Sequence, residues 1–118
     1  EFGSHTCTHP ELGGVSRQRC WEEVDRSRRD LAQALGQDIV SFSYPRGSVN
    51  EDVIQMVQDA GYGCGVVTPP RSGIPLSRLT LRRIGVYHRN TPWSFRLKTT
   101  PIVRRHYEHW KWLQGRRQ

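Results

Sequence analysis

The feature that most constrains the fold is a repeated order in which a helical segment is followed at once by a short apolar stretch. Ser16 is a favourable N-cap for a helix that runs to about Leu35, and Gly36 is suited to end it. Residues 39–45, IVSFSYP, are rich in β-branched and aromatic side chains and end at a proline, which predicts a strand. Helices that alternate with strands in this way indicate an α/β fold with a parallel sheet.

The same order is then repeated. Ser48 or Asn50 is expected to cap a second helix that closes at Gly61. Residues 62–68 predict the next strand, residues 69–75 a proline-rich loop, and residues 79–87 a further strand. Residues 1–4, EFGS, have the character of a short strand end ahead of the first helix. The second helix is expected to turn four apolar side chains inward: Val53, Ile54, Val57 and Ala60.

The first helix is expected to be amphipathic and one-sided. Its apolar residues recur near helical spacing: Cys20, Val24, Leu31 and Leu35. Its charged and polar residues fall mostly elsewhere: Glu22, Glu23, Arg26, Arg29 and Gln33. This pattern predicts one buried face and one solvated face.

Charge divides the chain into two parts. Residues 1–81 carry 8 Arg against 10 Asp and Glu, a net charge of −2, whereas residues 82–118 carry 8 Arg and 2 Lys against one Glu, a net charge of +9. Basic residues alternate with Tyr and Trp at 82–90, RRIGVYHRN, and at 104–117, RRHYEHWKWLQGRR. This composition favours a solvated basic face. Binding to single-stranded nucleic acid is an alternative, but no recognised nucleic-acid-binding module accompanies these residues.

Several classes of protein are disfavoured by what the sequence lacks. The three cysteines, Cys7, Cys20 and Cys64, include no C-x-x-C pair, so they favour free thiols over a zinc ribbon or a disulfide framework. No apolar run approaches the roughly 20 residues that span a bilayer. No G-x-S-x-G motif of a serine hydrolase occurs, and no targeting signal indicates a compartment.

Two histidines near the start of the chain are the first candidate site. His5 and His9 stand four residues apart in GSHTCTHPEL, and neutral imidazoles are good zinc ligands when a third ligand joins them. Pro10 disfavours helical backbone at His9, so the pair is expected on a turn. The H-E-x-x-H protease motif is excluded because Thr6 stands where its glutamate would lie. Spacing alone leaves two options, a metal site or ordinary hydrogen-bonded histidines.

Longer stretches of the sequence resemble a known family, which the spacing of the two histidines alone does not indicate. EFGSHTCTHPEL, then SRRDLAQALGQDIVSFSYPRGSVNEDVIQMVQDAGYGCGVVT, then LRRIGV closely resemble the later part of the polysaccharide deacetylase family, also called the NodB-homology domain or carbohydrate esterase family four. The resemblance covers residues 1 to about 87. It implies α/β architecture in the form of a partial distorted (β/α) barrel whose N-terminal part is missing. Residues 1–118 would be one partial domain with a basic, Trp-rich segment at about 88–118.

The family motifs imply roles for individual residues. In the H-[ST]-x-x-H motif, His5 and His9 would be ligands of a divalent metal, usually zinc, and Thr6 would occupy the Ser/Thr position. Residues 42–47, FSYPRG, resemble the active-site wall motif F-A-Y-P-Y-G, and we call them the wall segment. The substrate contacts implied here are Thr6, Tyr44, Pro45, Arg46 and Gly47. Arg46 stands where many members have tyrosine.

The chain also departs from the family pattern. Members carry a T-F-D-D-like strand end before the histidine motif, in which one Asp is the catalytic base and the next is the third metal ligand; here both are expected upstream of Glu1, with the rest of the domain. His88, in VYH, is the nearest candidate for the late L-x-H motif, although an ordinary surface histidine fits it better.

The resemblance implies a metal-dependent hydrolase that removes acetyl groups from N-acetylated, or alternatively O-acetylated, sugars of a polysaccharide. The isolated chain is expected to be weakly active or inactive. A noncatalytic glycan-binding module and a basic nucleic-acid-binding module are the alternatives.

Overall fold

Four short parallel strands form one sheet in a computed structural model that describes residues 1–68 and 74–100. The sheet order β1-β2-β3-β4 follows the chain order. The elements are β1 (Gly3–Ser4), α1 (Arg17–Leu35), β2 (Ser41–Ser43), α2 (Glu51–Asp59), β3 (Cys64–Val67), β4 (Leu81–Arg82) and α3 (Pro92–Thr99). The predicted α/β class with a parallel sheet is confirmed. The chain divides into two compact units, Glu1–Arg83 and one that begins at Ile84.

Helix α1 has the two ends that its sequence predicts. The Ser16 hydroxyl accepts a hydrogen bond from the Arg19 amide at 3.3 Å. At the other end Gly36 adopts a left-handed conformation, φ 64°, and its amide donates to the Ala32 carbonyl. Such caps satisfy backbone groups that the helix itself leaves unpaired.

Helix α2 is capped by Asn50, whose side chain accepts from the Val53 amide at 2.9 Å. Ser48, the alternative cap, instead accepts from the Gly13 amide at 3.0 Å. The inner face of α2 consists of Val53, Met56, Val57 and Ala60. Ile54 was predicted to face inward but is only partly buried, because the buried positions follow a stripe through Met56.

An aromatic cluster at β2 and at the approach to β3 lies in the buried core. The Phe42 ring packs against Tyr44 and Tyr62, with ring centroids 5.1 and 5.0 Å apart. The Tyr62 hydroxyl donates to the Val24 carbonyl of α1 at 3.0 Å, which satisfies both buried groups. The sheet and α1 are therefore joined by packing and by a buried hydrogen bond.

The fourth strand is much shorter than the predicted 79–87. Only Leu81–Arg82 pairs with β3. Before it, Thr80 uses its hydroxyl in a turn, accepting from the Ser77 amide at 2.8 Å and donating to the Pro75 carbonyl at 2.7 Å. Side-chain hydrogen bonds of this kind hold the backbone in a turn and so compete with strand pairing. Most of the loop predicted at 69–75, residues 69–73, lies outside the described residues.

The second compact unit contains a helix that the sequence analysis did not predict. The Thr91 hydroxyl accepts from the Ser94 amide at 3.2 Å and caps α3, and Pro92 follows it at the first helical position. This pairing of a Thr cap with a Pro is a helix-start signal that the basic composition obscured. Lys98 donates to the Gly85 carbonyl at 3.0 Å within the same unit.

The basic segment extends past this described part. Its Trp-rich stretch at 104–117, and with it most of the nucleic-acid alternative, lies outside the described residues. Within residues 1–68 and 74–100, no helix combines the length and the apolar character needed to cross a membrane.

Candidate metal centre

The histidine pair lies on the loop that follows β1, and we call residues 5–9 the histidine loop. The imidazole rings of His5 and His9 meet edge to face, with centroids 4.8 Å apart and planes at 70°. Both residues are exposed. The two imidazoles are therefore in contact on a solvent-exposed part of the loop.

His5 is oriented by the neighbouring strand. Its Nδ1 lies 2.6 Å from the carbonyl oxygen of Ser43 at the end of β2. Because a carbonyl only accepts hydrogen bonds, Nδ1 must carry the proton, and in the neutral ring the lone pair is then on Nε2. Histidine ligands of metals are commonly fixed by such a hydrogen bond from the other ring nitrogen. His5 is thus prepared to coordinate through Nε2.

The loop follows an unusual backbone path at both of its ends. Thr6 has φ 67° and His9 has φ 60°, although neither is glycine. The His9 amide donates to the Thr6 hydroxyl at 3.0 Å and closes a tight turn. Non-glycine residues seldom adopt left-handed backbone, and they do so where surrounding contacts enforce it. The turn predicted from Pro10 is confirmed, and the Thr6 hydroxyl stabilises it through its hydrogen bond with the His9 amide.

The middle of the loop is bound to α1 through Glu23. The carboxylate Oε2 accepts from the amides of Cys7 and Thr8 at 2.9 and 2.8 Å, and Oε1 accepts from the Thr8 hydroxyl at 2.5 Å. Burial opposes ionisation, but these hydrogen bonds and nearby Arg19 outweigh it, so the pKa of Glu23 lies below its usual value. Glu23 was predicted to lie off the apolar face, yet it is 5% exposed. Its position three residues after buried Cys20 is the signal that could have revealed this.

Cys7 lies between the histidines in sequence but points elsewhere. Its thiol is 3.9 Å from the Glu23 carbonyl oxygen, and partial burial together with the Glu23 carboxylate raises the pKa of the thiol. A raised pKa disfavours the thiolate, which is the form that binds metals. Across the described ranges 1–68 and 74–100, no group of three or more His, Cys, Asp or Glu side chains could hold a metal ion. The described residues therefore offer the histidine pair but no third ligand beside it.

The wall segment begins beside His5, at the end of β2. The side chains of Tyr44 and Pro45 are buried in the core, whereas Arg46 is exposed, has φ 53°, and lies 3.4 Å from the Glu11 carboxylate. Gly47 has φ 67° and packs so closely that a Cβ there would lie 2.6 Å from the Thr68 hydroxyl. Arg46 is thus the exposed residue of the wall segment, and Ser43 and Gly47 are partly buried.

One further feature of the wall segment is electrostatic. Burial raises the pKa of the Tyr44 phenol. Among the described residues, neither its hydroxyl nor that of Ser43 has a hydrogen-bond partner, although both are buried. Buried polar atoms without partners are uncommon.

His88, the candidate for the late motif, belongs to the second compact unit. It is exposed in a turn at residues 88–89. The neighbouring Tyr87 amide donates to the Asn90 side chain at 2.7 Å.

Comparison with known proteins decides the family. A family model described as polysaccharide deacetylase matches residues 1–65, which include the histidine loop and the wall segment. The chain belongs to the polysaccharide deacetylase family. This polysaccharide deacetylase chain is similar to the homologue YxkH of Bacillus subtilis, with 34% identity over 67 residues that make up 57% of this chain and 24% of YxkH.

Solved structures agree on the fold of this polysaccharide deacetylase chain. It is similar to the Streptococcus pyogenes deacetylase PplD in complex with acetate, with a TM-score of 0.74, 28% identity, and coverage of 86% of this chain and 45% of PplD. It also resembles the Bacillus cereus polysaccharide deacetylase BC0361 in fold, with a TM-score of 0.72 at 24% identity, over 85% of this chain and 32% of BC0361. The chain therefore spans about a quarter of YxkH and less than half of PplD, and the predicted partial deacetylase-type fold is confirmed.

Proposed function

We propose that the histidine loop supplies two ligands, His5 and His9, to a divalent metal in a polysaccharide deacetylase site. The observation that carries the proposal is the hydrogen bond from His5 Nδ1 to the Ser43 carbonyl, with the His9 ring 4.8 Å away. It leaves the lone pair of His5 on Nε2, and the His9 ring is in edge-to-face contact with the same imidazole. Imidazole nitrogen is a preferred ligand of zinc, so zinc is the metal we expect.

We propose that the remaining ligand and the base come from outside the described residues, among which no group of three or more His, Cys, Asp or Glu could hold a metal ion. Catalytic zinc sites use three protein ligands, and the histidine loop supplies two. We propose that the family's aspartate pair, expected upstream of Glu1 with the rest of the domain, completes the site. When bound, the metal would polarise an acetyl carbonyl and lower the pKa of a water molecule.

Substrate contacts are proposed for the exposed parts of the wall. The Arg46 guanidinium is a hydrogen-bond donor that suits sugar hydroxyls, and the close packing of Gly47 keeps that side of the site flat. Thr6 is proposed to act mainly through its hydrogen bond to the His9 amide. Since Tyr44 and Pro45 are buried, we propose that they support the wall from behind.

The proposed reaction is hydrolysis of the acetyl group of an N-acetylated sugar in a polysaccharide, a carbon–nitrogen bond outside a peptide. Its support is family membership together with the acetate bound to PplD, since acetate is the product expected of deacetylation. O-acetyl sugars are a second substrate class with the same leaving acetate. His88 is proposed to be an ordinary surface histidine, consistent with its exposure.

Zinc titration of the 118-residue chain tests the ligand assignment. His5→Ala and His9→Ala should each weaken zinc binding at least about tenfold, because a single imidazole is left in the histidine loop. His88→Ala, which removes an exposed histidine from the other unit, serves as the matched comparison and should leave the affinity close to that of the parent. Equal affinity in the parent and both loop variants would refute the assignment.

Acetate release tests the catalytic part of the proposal. With zinc and N-acetylglucosamine oligomers, the isolated chain should release little or no acetate, whereas a protein that also carries the upstream aspartates should release it. Loss of that activity in His5→Ala is then expected. A longer protein that is unable to deacetylate either N-acetyl or O-acetyl sugars would contradict the proposed reaction.

A further inference from the structure

Behind the histidine loop lies a buried carboxylate that has no place among the proposed ligands or substrate contacts. Glu23 is on the inner face of α1 and is 5% exposed. Three of its hydrogen bonds come from two residues of the loop, Cys7 and Thr8, at 2.5–2.9 Å. A charge in such a position is costly unless donors surround it, and here the donors belong to the loop.

We infer that Glu23 is a positioning residue that sets the separation and orientation of His5 and His9. This inference rests on the proposed function of the histidine loop. Glu23 accepts hydrogen bonds from the backbone amides of Cys7 and Thr8, two consecutive residues that lie between the histidines. Fixing both peptide groups to one oxygen leaves the loop little freedom to change the distance between its ends.

The backbone of the loop gives a reason for such an anchor. Thr6 and His9 both have positive φ, at 67° and 60°. A free peptide would relax out of these conformations, so contacts outside the two residues must hold them. The Thr6 hydroxyl closes the turn locally. In the middle of the loop, the amides of Cys7 and Thr8 donate to Glu23, and the Thr8 hydroxyl is shared between Glu23 and Arg19, both on α1.

A carboxylate suits this role better than a neutral side chain. Its two oxygens accept three hydrogen bonds from the loop, and Arg19 lies 3.6 Å from Oε1 as a further partner. An amide has one acceptor oxygen, so glutamine could keep the two backbone hydrogen bonds only by turning its NH₂ group toward Thr8 and Arg19. Glu23→Gln should therefore loosen the loop partly, and Glu23→Ala should release it.

The metal-free chain provides a direct readout by NMR. In the parent we expect a nuclear Overhauser effect between the two imidazole rings and slow hydrogen exchange at the amides of Cys7 and Thr8. Glu23→Ala should abolish the ring contact and speed exchange at both amides by about tenfold or more, the change expected for an ordinary hydrogen bond. Thr8→Val, which removes one donor hydroxyl and keeps both amides, should have a smaller effect, and it replaces Glu23→Ala should that variant not fold.

Two comparison variants separate positioning from general stability. Glu22→Gln neutralises the exposed neighbour of Glu23 and should change neither NMR signal. Val24→Ala opens a cavity beside the same helix and should lower the unfolding midpoint while the ring contact persists. The inference is overturned if the ring contact and the slow amide exchange both survive Glu23→Ala. If Glu23→Ala does not fold, it is overturned when both signals are unchanged in Glu23→Gln and in Thr8→Val. It is equally overturned by a Val24→Ala chain that loses them to the same extent.

Zinc binding then connects the anchor to the proposed site. Glu23→Ala should weaken zinc binding about tenfold, and Val24→Ala less than about twofold, when both are measured below their unfolding transitions. Unchanged zinc affinity in His5→Ala and His9→Ala would refute the metal site, while the ring contact in the metal-free chain still decides the role of Glu23. The two failures are therefore distinguishable.

Discussion

Replacing Gly47 with alanine should destabilise the chain in two separable ways. Gly47 has φ 67°, and left-handed backbone costs an L-residue about 1–2 kcal/mol. The new Cβ would also lie 2.6 Å from the Thr68 hydroxyl and 3.0 Å from the Thr68 carbonyl oxygen. The hydroxyl can rotate away but the carbonyl belongs to the backbone, so we add about 1–3 kcal/mol for overpacking. The total is about 2–5 kcal/mol.

Two other glycines serve as controls: Gly36 isolates the backbone share of this sum, and Gly14 is a neutral reference. Gly36 has nearly the same φ, 64°, and nothing lies within 4 Å of a Cβ built there. Gly36→Ala should therefore cost only the backbone share of about 1–2 kcal/mol. Gly14 has neither a positive φ nor a neighbour within 4 Å, so Gly14→Ala should be close to neutral.

Thermal unfolding followed by circular dichroism measures the series. At roughly 4–8 °C per kcal/mol for a domain of this size, Gly47→Ala should unfold about 8–40 °C below the parent and Gly36→Ala about 4–16 °C below it. Thr68→Ala in the Gly47→Ala background should recover part of the difference, since it removes the hydroxyl but leaves the carbonyl oxygen. Equal midpoints for Gly47→Ala and Gly36→Ala would show that the close approach of Thr68 has no energetic consequence and would refute the reasoning.

Three further perturbations have expected outcomes. Tyr62→Phe removes the hydroxyl that donates to the Val24 carbonyl at 3.0 Å and should lower the free energy of unfolding by about 1 kcal/mol in urea titrations. Asn50→Ala removes the side chain that accepts from the Val53 amide and should cost about 1 kcal/mol, with loss of helical signal from α2. The pKa of Glu23 is lowered from 4.5, so its carboxylate stabilises the fold above that pH, and this stability is lost as pH falls through the lower, folded-state pKa. Glu23→Gln should flatten this part of the acid unfolding curve.

Each of these three predictions can be contradicted by a specific result. Tyr62→Phe with an unchanged free energy of unfolding would mean that the hydroxyl adds nothing beyond the ring. Ser48→Ala is the control for Asn50, since Ser48 bonds to the Gly13 amide and should leave α2 intact. If Ser48→Ala costs α2 more than Asn50→Ala does, the assignment of the cap is wrong. An identical acid unfolding curve for Glu23→Gln and the parent would contradict an ionised, hydrogen-bonded Glu23.

Features that depend on local chemistry were predicted best. The limits of α1 follow from Ser16 and Gly36, because a cap is formed by residues within a turn of the helix end. Strand lengths were predicted less well, since β4 is limited by a side-chain turn at Thr80 that alternating hydrophobicity does not reveal. The cap at Thr91 is equally local, but α3 was not predicted because the sequence around it was interpreted only by its basic charge.

The candidate site shows the same division between local and long-range contacts. The turn around His9 was predicted from Pro10, its immediate neighbour. The hydrogen bond from His5 to Ser43 joins residues 38 positions apart, and no periodicity in the sequence specifies such a pair. The resemblance to the family implies that both stretches belong to one active site, but it does not specify this contact. The burial of Glu23 was not predicted because its partners include the backbone amides of the loop. Every residue except proline has such an amide, so the sequence does not mark these as partners.

The agreement between sheet order and chain order has a consequence for biosynthesis. Each strand pairs with the strand made just before it, so a chain leaving the ribosome could add β2 to β1 and then β3 to β2 without rearranging an earlier pair. The Ser43 carbonyl reaches His5 as soon as the second strand joins the first. Both histidines could therefore be oriented while the nascent chain is still being elongated, and stalled chains in which β2 has already left the ribosome should show the ring contact.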